Sequence, residues 1–124
     1  MIIYRCNKCK NIVMVLNKGM CIPNCCGEGM QELTPNTTDA STEKHIPVVE
    51  INDNNVLVQI GSILHSMTEE HYIEFVILET NLGSQIHYLK PVDEAKTSFK
   101  LNVYEKVTAV YAYCNLHGLW KKDI

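Results

Sequence analysis

Two residues near the C-terminus, Cys114 and His117, stand three positions apart in a short segment that a glycine closes. A thiolate and a neutral imidazole are both good ligands for iron, copper and zinc. Two ligands do not complete a site, so the fold must bring further donors to this segment. The upstream candidates are His45, His65 and His71. Four imidazoles and one thiolate would be unusual for zinc, which prefers four ligands, and would suit redox-active iron.

A second group of donors lies in the first 26 residues, which hold five of the six cysteines. Cys6 and Cys9 form a C-x-x-C pair, and the adjacent Cys25 and Cys26 follow after a gap of fifteen residues. Four thiolates at this spacing predict a tetrahedral site that zinc or iron would fill. Adjacent side chains normally point in different directions, so the second pair requires a distorted site or a special turn. The remaining Cys21 is interpreted as a free thiol near the site, with a ligand swap or an oxidation-sensitive thiol as the alternatives.

The composition limits the class of protein. With 124 residues, 46% of them hydrophobic and 20% charged, the chain is typical of one globular domain, or of a small domain attached to a very small one. A net charge of −3 and the lack of a basic run argue against nucleic-acid binding. No apolar run reaches the ~18 residues of a membrane span or forms a signal peptide, so we expect a cytoplasmic protein that binds no membrane.

The polar segment around Pro35 is typical of a linker, which predicts domains at 1–36 and 37–124. A domain of ~36 residues buries too little apolar surface to be stable alone, so its metal would also be structural. Beyond the linker, apolar residues alternate with period two and turn signals recur at short intervals. About seven short strands and no long helix predict an all-β chain, in which a small metal-bound unit precedes an antiparallel β-sandwich.

The strands of the second domain can be placed approximately. We expect a first strand from Pro47 and further strands over 56–60, 71–79, 85–90, 99–103 and 107–113. The candidate histidines then fall where loops meet strand ends, and Cys114 and His117 follow the last strand. Loops at one end of a sandwich can converge on one metal ion. His87, alone within an alternating strand, is expected to be a surface or hydrogen-bonded residue.

Both groups of donors resemble known iron proteins. The C-x-x-C pair with Cys25-Cys26-Gly27-Glu28 resembles desulforedoxin. The remaining motifs resemble the neelaredoxin module: Glu43-Lys44-His45-Ile46-Pro47-Val48, Gly61-Ser62 before His65, Met67, Glu70-His71-Tyr72-Ile73-Glu74, and Tyr113-Cys114-Asn115-Leu116-His117-Gly118-Leu119-Trp120. Joined in this order over nearly the whole chain, they resemble desulfoferrodoxin, the two-iron type of superoxide reductase.

The resemblance implies a fold, two iron ions and an activity. One rubredoxin-like iron would be held by the four cysteines Cys6, Cys9, Cys25 and Cys26. The catalytic iron would have four histidines around a plane and Cys114 as the axial ligand: His45, His65, His71 and His117. The sandwich would be immunoglobulin-like, usually in a homodimer. The activity would be reduction of superoxide to hydrogen peroxide by ferrous iron, with one electron and two protons.

Two charged residues beside His45 have roles in the resembled family. Lys44 would supply a local cation for the superoxide anion in a protein whose net charge is negative. Glu43 resembles the carboxylate that can occupy the sixth iron position after oxidation. The electron donor would be a rubredoxin-type protein. The chain departs from the family pattern at Leu64 and Ser66, where relatives often have proline, and in its additional Cys21.

Other functions remain compatible with part of these residues. A non-catalytic iron electron-transfer protein would require the second iron to be shielded from substrate. A zinc-stabilised interaction module explains the four cysteines but gives no role to the four histidines with Cys114. A dismutase would evolve oxygen, whereas a reductase consumes an external electron and evolves none.

Overall fold

The computed structural model describes all 124 residues. It is nearly all β, as the sequence predicts, and every strand pairing is antiparallel. The chain divides into two compact units, Met1–Thr34 and Pro35–Ile124. No helix has both the length and the apolar character that crossing a bilayer requires.

The first unit is built around a three-stranded sheet and a small hairpin. Strand β1 (Ile2–Arg5) pairs on one side with β2 (Ile12–Val15) and on the other with β5 (Gln31–Glu32). The hairpin consists of β3 (Asn24–Cys25) and β4 (Glu28–Gly29). The buried hydrophobic side chains of the first unit are Ile3, Cys6 and Met30. Such a small core contributes little hydrophobic stabilisation, so a cross-link at the cysteines would add substantially to it.

The second unit contains seven strands in two sheets, which agrees with the predicted sandwich. One sheet has the order β10-β7-β6 and the other the order β12-β11-β8-β9. The elements of this unit are α1 (Thr42–His45), β6 (Pro47–Asn52), β7 (Asn55–Ile60), β8 (Ile73–Thr80), β9 (Gly83–Tyr88), β10 (Lys96–Lys100), β11 (Val107–Cys114) and β12 (Gly118–Asp123).

The core of this unit lies between the two sheets and follows the period-two pattern. Alternate residues of β7, including Val56 and Val58, pack in one cluster with Val76 of β8 and Val110 of β11. At one edge of the sandwich, His87 of β9 shares a hydrogen bond of 2.7 Å with the Thr97 hydroxyl and stacks on the Phe99 ring at 4.1 Å. His87 is thus a hydrogen-bonded residue, as expected from the sequence.

Several predicted boundaries are wrong. The strand expected at 99–103 is β10 (Lys96–Lys100), because the Asn102 amide donates to the Glu105 carboxylate and the chain turns there. Cys114 and His117 do not follow the last strand, since Cys114 ends β11 and β12 comes after it. His71 lies before β8 and not within it. Helix α1 was not predicted, because it is a single turn without a periodic hydrophobic pattern.

The turn before β11 supplies a pH-dependent contribution to stability. The Thr80 hydroxyl and the Asn102 amide each donate to the Glu105 carboxylate at 2.8 Å. These hydrogen bonds lower the pKa of Glu105 below its usual 4.5, and the bond from Asn102 has the largest effect. The unfolded chain therefore binds more protons below pH 4.5, and the stabilisation present above that pH is lost as the pH falls through the folded pKa.

Glu105→Gln should consequently lower the free energy of unfolding at pH 7, with a smaller difference from wild type at pH 4. Urea unfolding at both pH values measures this, and the exposed Glu94→Gln serves as a control. A difference that stays constant with pH would show that the Glu105 charge contributes nothing.

Candidate metal centres

The local backbone explains how four cysteines can face one point. Cys6 follows β1, and the Lys10 amide donates to its carbonyl at 3.0 Å, which closes the C-x-x-C loop. Cys25 is the last residue of β3, and the β3–β4 turn consists of Cys26 and Gly27 with φ of +53° and +80°. This left-handed turn reverses the chain immediately after Cys25, so it is the special turn that the adjacent pair requires.

The sulfur atoms of Cys6, Cys9, Cys25 and Cys26 all lie within 4.8 Å of one another. The Cys9–Cys25 distance is 3.5 Å and the Cys25–Cys26 distance 3.9 Å, and no disulfide is formed. Metal–sulfur bonds of ~2.3 Å in tetrahedral geometry place sulfurs about 3.8 Å apart. The spacing therefore fits one zinc or iron ion. Cys21 is exposed and lies outside this cluster.

Crowding perturbs these thiols unequally. A hydrogen bond from the Cys9 backbone amide lowers the pKa of Cys6 to about 6. The neighbouring Cys9 and Cys6 side chains raise the pKa of Cys25 to about 12 and also raise the pKa of Cys26. Four thiolates at this spacing repel one another, so full ionisation requires a cation among them.

The second cluster is a square of four imidazoles. Neighbouring ring centroids are separated by 4.6 to 5.0 Å around the circuit, whereas His45 and His71 lie across it at 6.4 Å. Donor atoms of His45, His65, His71 and Cys114 all lie within 4.8 Å of one another. His117 joins them through Nδ1, which is 3.1 Å from His45 Nε2 and 3.8 Å from the Cys114 sulfur. The structure thus brings all five sequence-predicted donors together.

The hydrogen bonds of the buried histidines leave ring nitrogens available for a metal. His45 Nδ1 donates to the Ser41 carbonyl at 2.7 Å, and His65 Nδ1 donates to the Ser66 carbonyl at 2.6 Å. Each remaining Nε2 then carries a lone pair, and the two Nε2 atoms face each other at 3.2 Å. His71 Nε2 is buried and has no hydrogen-bond partner. Facing lone pairs and an orphaned nitrogen fit a cation at this point.

Burial keeps these donors neutral in the metal-free protein. His45 and His65 are each only 3% exposed, and desolvation lowers the pKa of His45 and brings that of His65 to about 4. Desolvation likewise lowers the pKa of His71. Cys114 is 0% exposed, and burial raises the pKa of its thiol against the opposing effect of the His117 and Leu116 backbone amides. Neutral imidazoles are the metal-binding form, while the thiol must lose its proton to bind.

A close backbone approach sets the first two histidines relative to each other. The Ile63 amide donates to the Glu43 carbonyl at 3.0 Å, which joins the loop before His65 to helix α1. Gly61, at the start of this loop, has φ of +83°. A Cβ on Gly61 would lie 2.7 Å from the Lys44 carbonyl carbon. Only glycine fits such a contact. The same helix presents the Glu43 and Lys44 side chains, both exposed.

Trp120 is a site residue to which the sequence analysis gave no role. Its ring is 1% exposed and stacks on His45 with centroids 4.8 Å apart and an interplanar angle of 25°. Its Nε1–H donates to the His117 carbonyl at 3.1 Å. It is the only tryptophan of the chain and stands three residues after His117, a signal that could have been read as support for the site.

Comparison with known proteins identifies the family of this chain. A family model described as Desulfoferrodoxin matches residues 37–123. The chain belongs to the desulfoferrodoxin family. A desulfoferrodoxin of Nitratidesulfovibrio vulgaris is 42% identical over 98% of this chain and 94% of its own length.

Two solved structures extend the family likeness. The superoxide reductase of Treponema pallidum superposes with a TM-score of 0.81 and 35% identity, covering 98% of both chains. The single-iron superoxide reductase of Giardia intestinalis gives a TM-score of 0.56 and 31% identity over 66% of this chain and 97% of that chain. The desulfoferrodoxin-like fold and two clusters able to bind metals are therefore features of this protein.

Proposed function

We propose that the protein is a superoxide reductase that converts superoxide to hydrogen peroxide and thereby detoxifies it. The observation that carries this proposal is the square of four imidazoles beside the buried Cys114 thiol. Iron held there by five donors would supply one electron to each superoxide, which with two protons gives hydrogen peroxide, and an external electron donor would re-reduce the iron. The five donors are His45, His65, His71, His117 and Cys114. The names of the Treponema and Giardia relatives support the same reaction.

The donor set supports iron over zinc at this centre. Zinc prefers four ligands, and its structural sites are closed, whereas five protein donors on a six-coordinate ion leave one position for a small substrate. His71 and His117 are partly exposed, while Cys114 is fully buried. Solvent and a small anion can therefore reach the imidazole side, and the thiol stays shielded from both.

We assign supporting roles to the two charged residues of α1. The exposed Lys44 would attract superoxide towards the adjacent His45, and the exposed Glu43 would provide the carboxylate that occupies the sixth position in the oxidised protein. Helix α1 is anchored to the His65 loop through the Glu43 carbonyl, so both side chains project from a fixed backbone.

Lys44→Ala should lower the second-order rate constant for superoxide by about tenfold at low salt, because a local cation raises the encounter rate of an anion. Pulse radiolysis at several salt concentrations measures this, and the difference from wild type should shrink as salt screens the charge. Lys100→Ala is the matched control, since Lys100 lies at the far end of β10 from the site. Equal rates for wild type and Lys44→Ala at all salt concentrations would rule out steering by Lys44.

For the first unit we propose a rubredoxin-like iron held by the four clustered cysteines, with zinc as the alternative. Domains 1–36 and 37–124 would then each hold one metal. The electron donor would be a rubredoxin-type protein, and the assembly a homodimer. Five of the six cysteines lie in the two candidate metal clusters, and thiolate ligands of this kind are compatible with a reducing compartment such as the cytoplasm.

Metal analysis of anaerobically purified protein, combined with superoxide consumption, tests the proposal. Two irons per chain, with consumption that needs an external reductant and evolves no oxygen, are expected. One iron and one zinc would keep the reductase and make the four-cysteine site a structural one. Oxygen evolution would indicate a dismutase. An iron centre that is inert to superoxide would favour an electron-transfer protein, and a protein that takes up no iron after reconstitution would refute the proposal.

A further inference from the structure

His71 is held differently from the buried imidazoles of His45 and His65. The rings of His45 and His65 are each fixed by a hydrogen bond from Nδ1 to a nearby carbonyl. The buried Nε2 of His71 has no partner, and the residue lies in the loop before β8. Its place in the square therefore depends on how its backbone is held.

The local contacts of this loop set its shape but not its position. The Thr68 amide donates to the His71 carbonyl at 2.9 Å, and the His71 amide donates to the Thr68 hydroxyl at 3.1 Å. Both bonds stay within one short segment. They cannot fix the distance between His71 and the donors on β11 and the turn after it.

Strand pairing sets Ile73 of β8 against Cys114 of β11, and Asn115 extends this connection to the residues around His71. Its side-chain amide donates to the Glu70 carbonyl at 2.9 Å, and its side-chain oxygen accepts the Tyr72 amide at 3.0 Å. Its own backbone amide donates to the Tyr72 carbonyl at 3.2 Å. Three hydrogen bonds thus hold the residues on both sides of His71, and Asn115 itself stands directly after Cys114.

We propose that Asn115 is a positioning residue that sets the His71 backbone against Cys114 and His117, so that His71 completes the square. This inference rests on the metal centre proposed above. A side-chain amide suits the task because it donates and accepts at once. An aspartate can still accept from Tyr72 but cannot donate to Glu70, and an alanine can do neither.

The chain offers a matched control at the other end of the same sheet. Asn81 directly follows β8, whose opposite end begins after His71. Its side-chain amide donates to the Tyr104 carbonyl at 3.2 Å, and its side-chain oxygen accepts the Lys106 amide at 2.7 Å. Asn81 therefore joins two backbone segments with the same chemistry as Asn115, far from any candidate ligand. Asn81→Ala reports the purely structural cost of losing such a link.

The test is anaerobic competition between the full iron-loaded chain and a ferrous chelator. Wild type should release iron in two steps, and the step missing from Cys114→Ser belongs to the imidazole site. Loss of a residue that orients a ligand typically weakens metal affinity ~10- to 100-fold. Asn115→Ala should weaken the imidazole step by this factor and leave the four-cysteine step unchanged. Asn115→Asp should give an intermediate value, and Asn81→Ala should change neither step.

Thermal unfolding of the metal-free variants accompanies the titration, and we expect similar losses for Asn115→Ala and Asn81→Ala. Wild-type affinity in Asn115→Ala would overturn the inference, as would equal weakening of the imidazole step in Asn81→Ala. If Asn115→Ala does not fold, wild-type affinity in Asn115→Asp would overturn it instead. If Cys114→Ser removes no iron-release step that wild type shows, the proposed metal centre itself is wrong. This outcome differs from a failure of the Asn115 role, in which the step is present but Asn115→Ala does not weaken it.

Discussion

Replacing Cys114 with serine should abolish the thiolate-to-iron charge-transfer band of the proposed iron centre and most of the proposed superoxide reductase activity. Cys114 is the sulfur donor that the structure places against the imidazole square, at 3.8 Å from His117 Nδ1. A serine hydroxyl is nearly the same size but stays protonated, and it lacks the soft, electron-donating sulfur. Losing a direct ligand should weaken iron binding by more than the ~100-fold typical of losing an orienting partner.

A rubredoxin-like iron at the four cysteines would have thiolate bands of its own, so the measurement is a difference spectrum of wild type minus Cys114→Ser. The bands of the first unit cancel, and the band of the second centre remains. Cys21→Ser is the control, because this exposed thiol lies outside both clusters. A flat difference spectrum at equal iron content would remove Cys114 from the ligand set.

Truncating Trp120 to alanine should produce the largest loss of stability in the second unit, about 3–5 kcal/mol in the free energy of unfolding. The side chain is fully packed, stacks on His45 and donates to the His117 carbonyl. Its removal leaves a cavity beside one imidazole and frees the backbone of another. We therefore expect weaker metal binding at this site together with the lower free energy of unfolding. Chemical unfolding of the metal-free protein and chelator competition measure the two effects separately.

Trp120→Phe separates packing from hydrogen bonding. The phenyl ring can still cover His45, whereas the bond to His117 is lost, at a cost of about 0.5–1.5 kcal/mol. Iron affinity should then fall less than in Trp120→Ala. A destabilisation below about 1 kcal/mol in Trp120→Ala would mean that the site relaxes around the missing ring and that Trp120 does not support it.

The strands were largely predictable because a half-buried strand alternates between core and solvent. Val56, Val58 and Ile60 show this alternation in the sequence and are buried in β7. Strand β12 escaped prediction because Leu119 and Trp120 are adjacent and both buried, which breaks the alternation. Helix α1 has four residues, too few for a periodic pattern.

The donors themselves could be named from residue types, but their convergence could not be derived from spacing. His45 and His117 are 72 positions apart, and their contact depends on how two sheets pack. The prediction that these donors meet at one site came from the resemblance to a family, because local sequence patterns carry no information on contacts between distant residues. The supporting contacts of Trp120 and Asn115 were not predicted either, because a hydrogen bond to a distant backbone leaves no trace in the sequence.

The separation of His45 and His117 has a consequence for the lifetime of the folded chain. An ion bound by both would tie the region before β6, the first strand of the second unit, to the turn before β12, its last strand. Unfolding then has to break metal–ligand bonds, and its rate becomes linked to release of the ion. The metal-free chain should unfold faster and be degraded sooner by proteases. The amount of folded protein would thus depend on the supply of the bound metal ion.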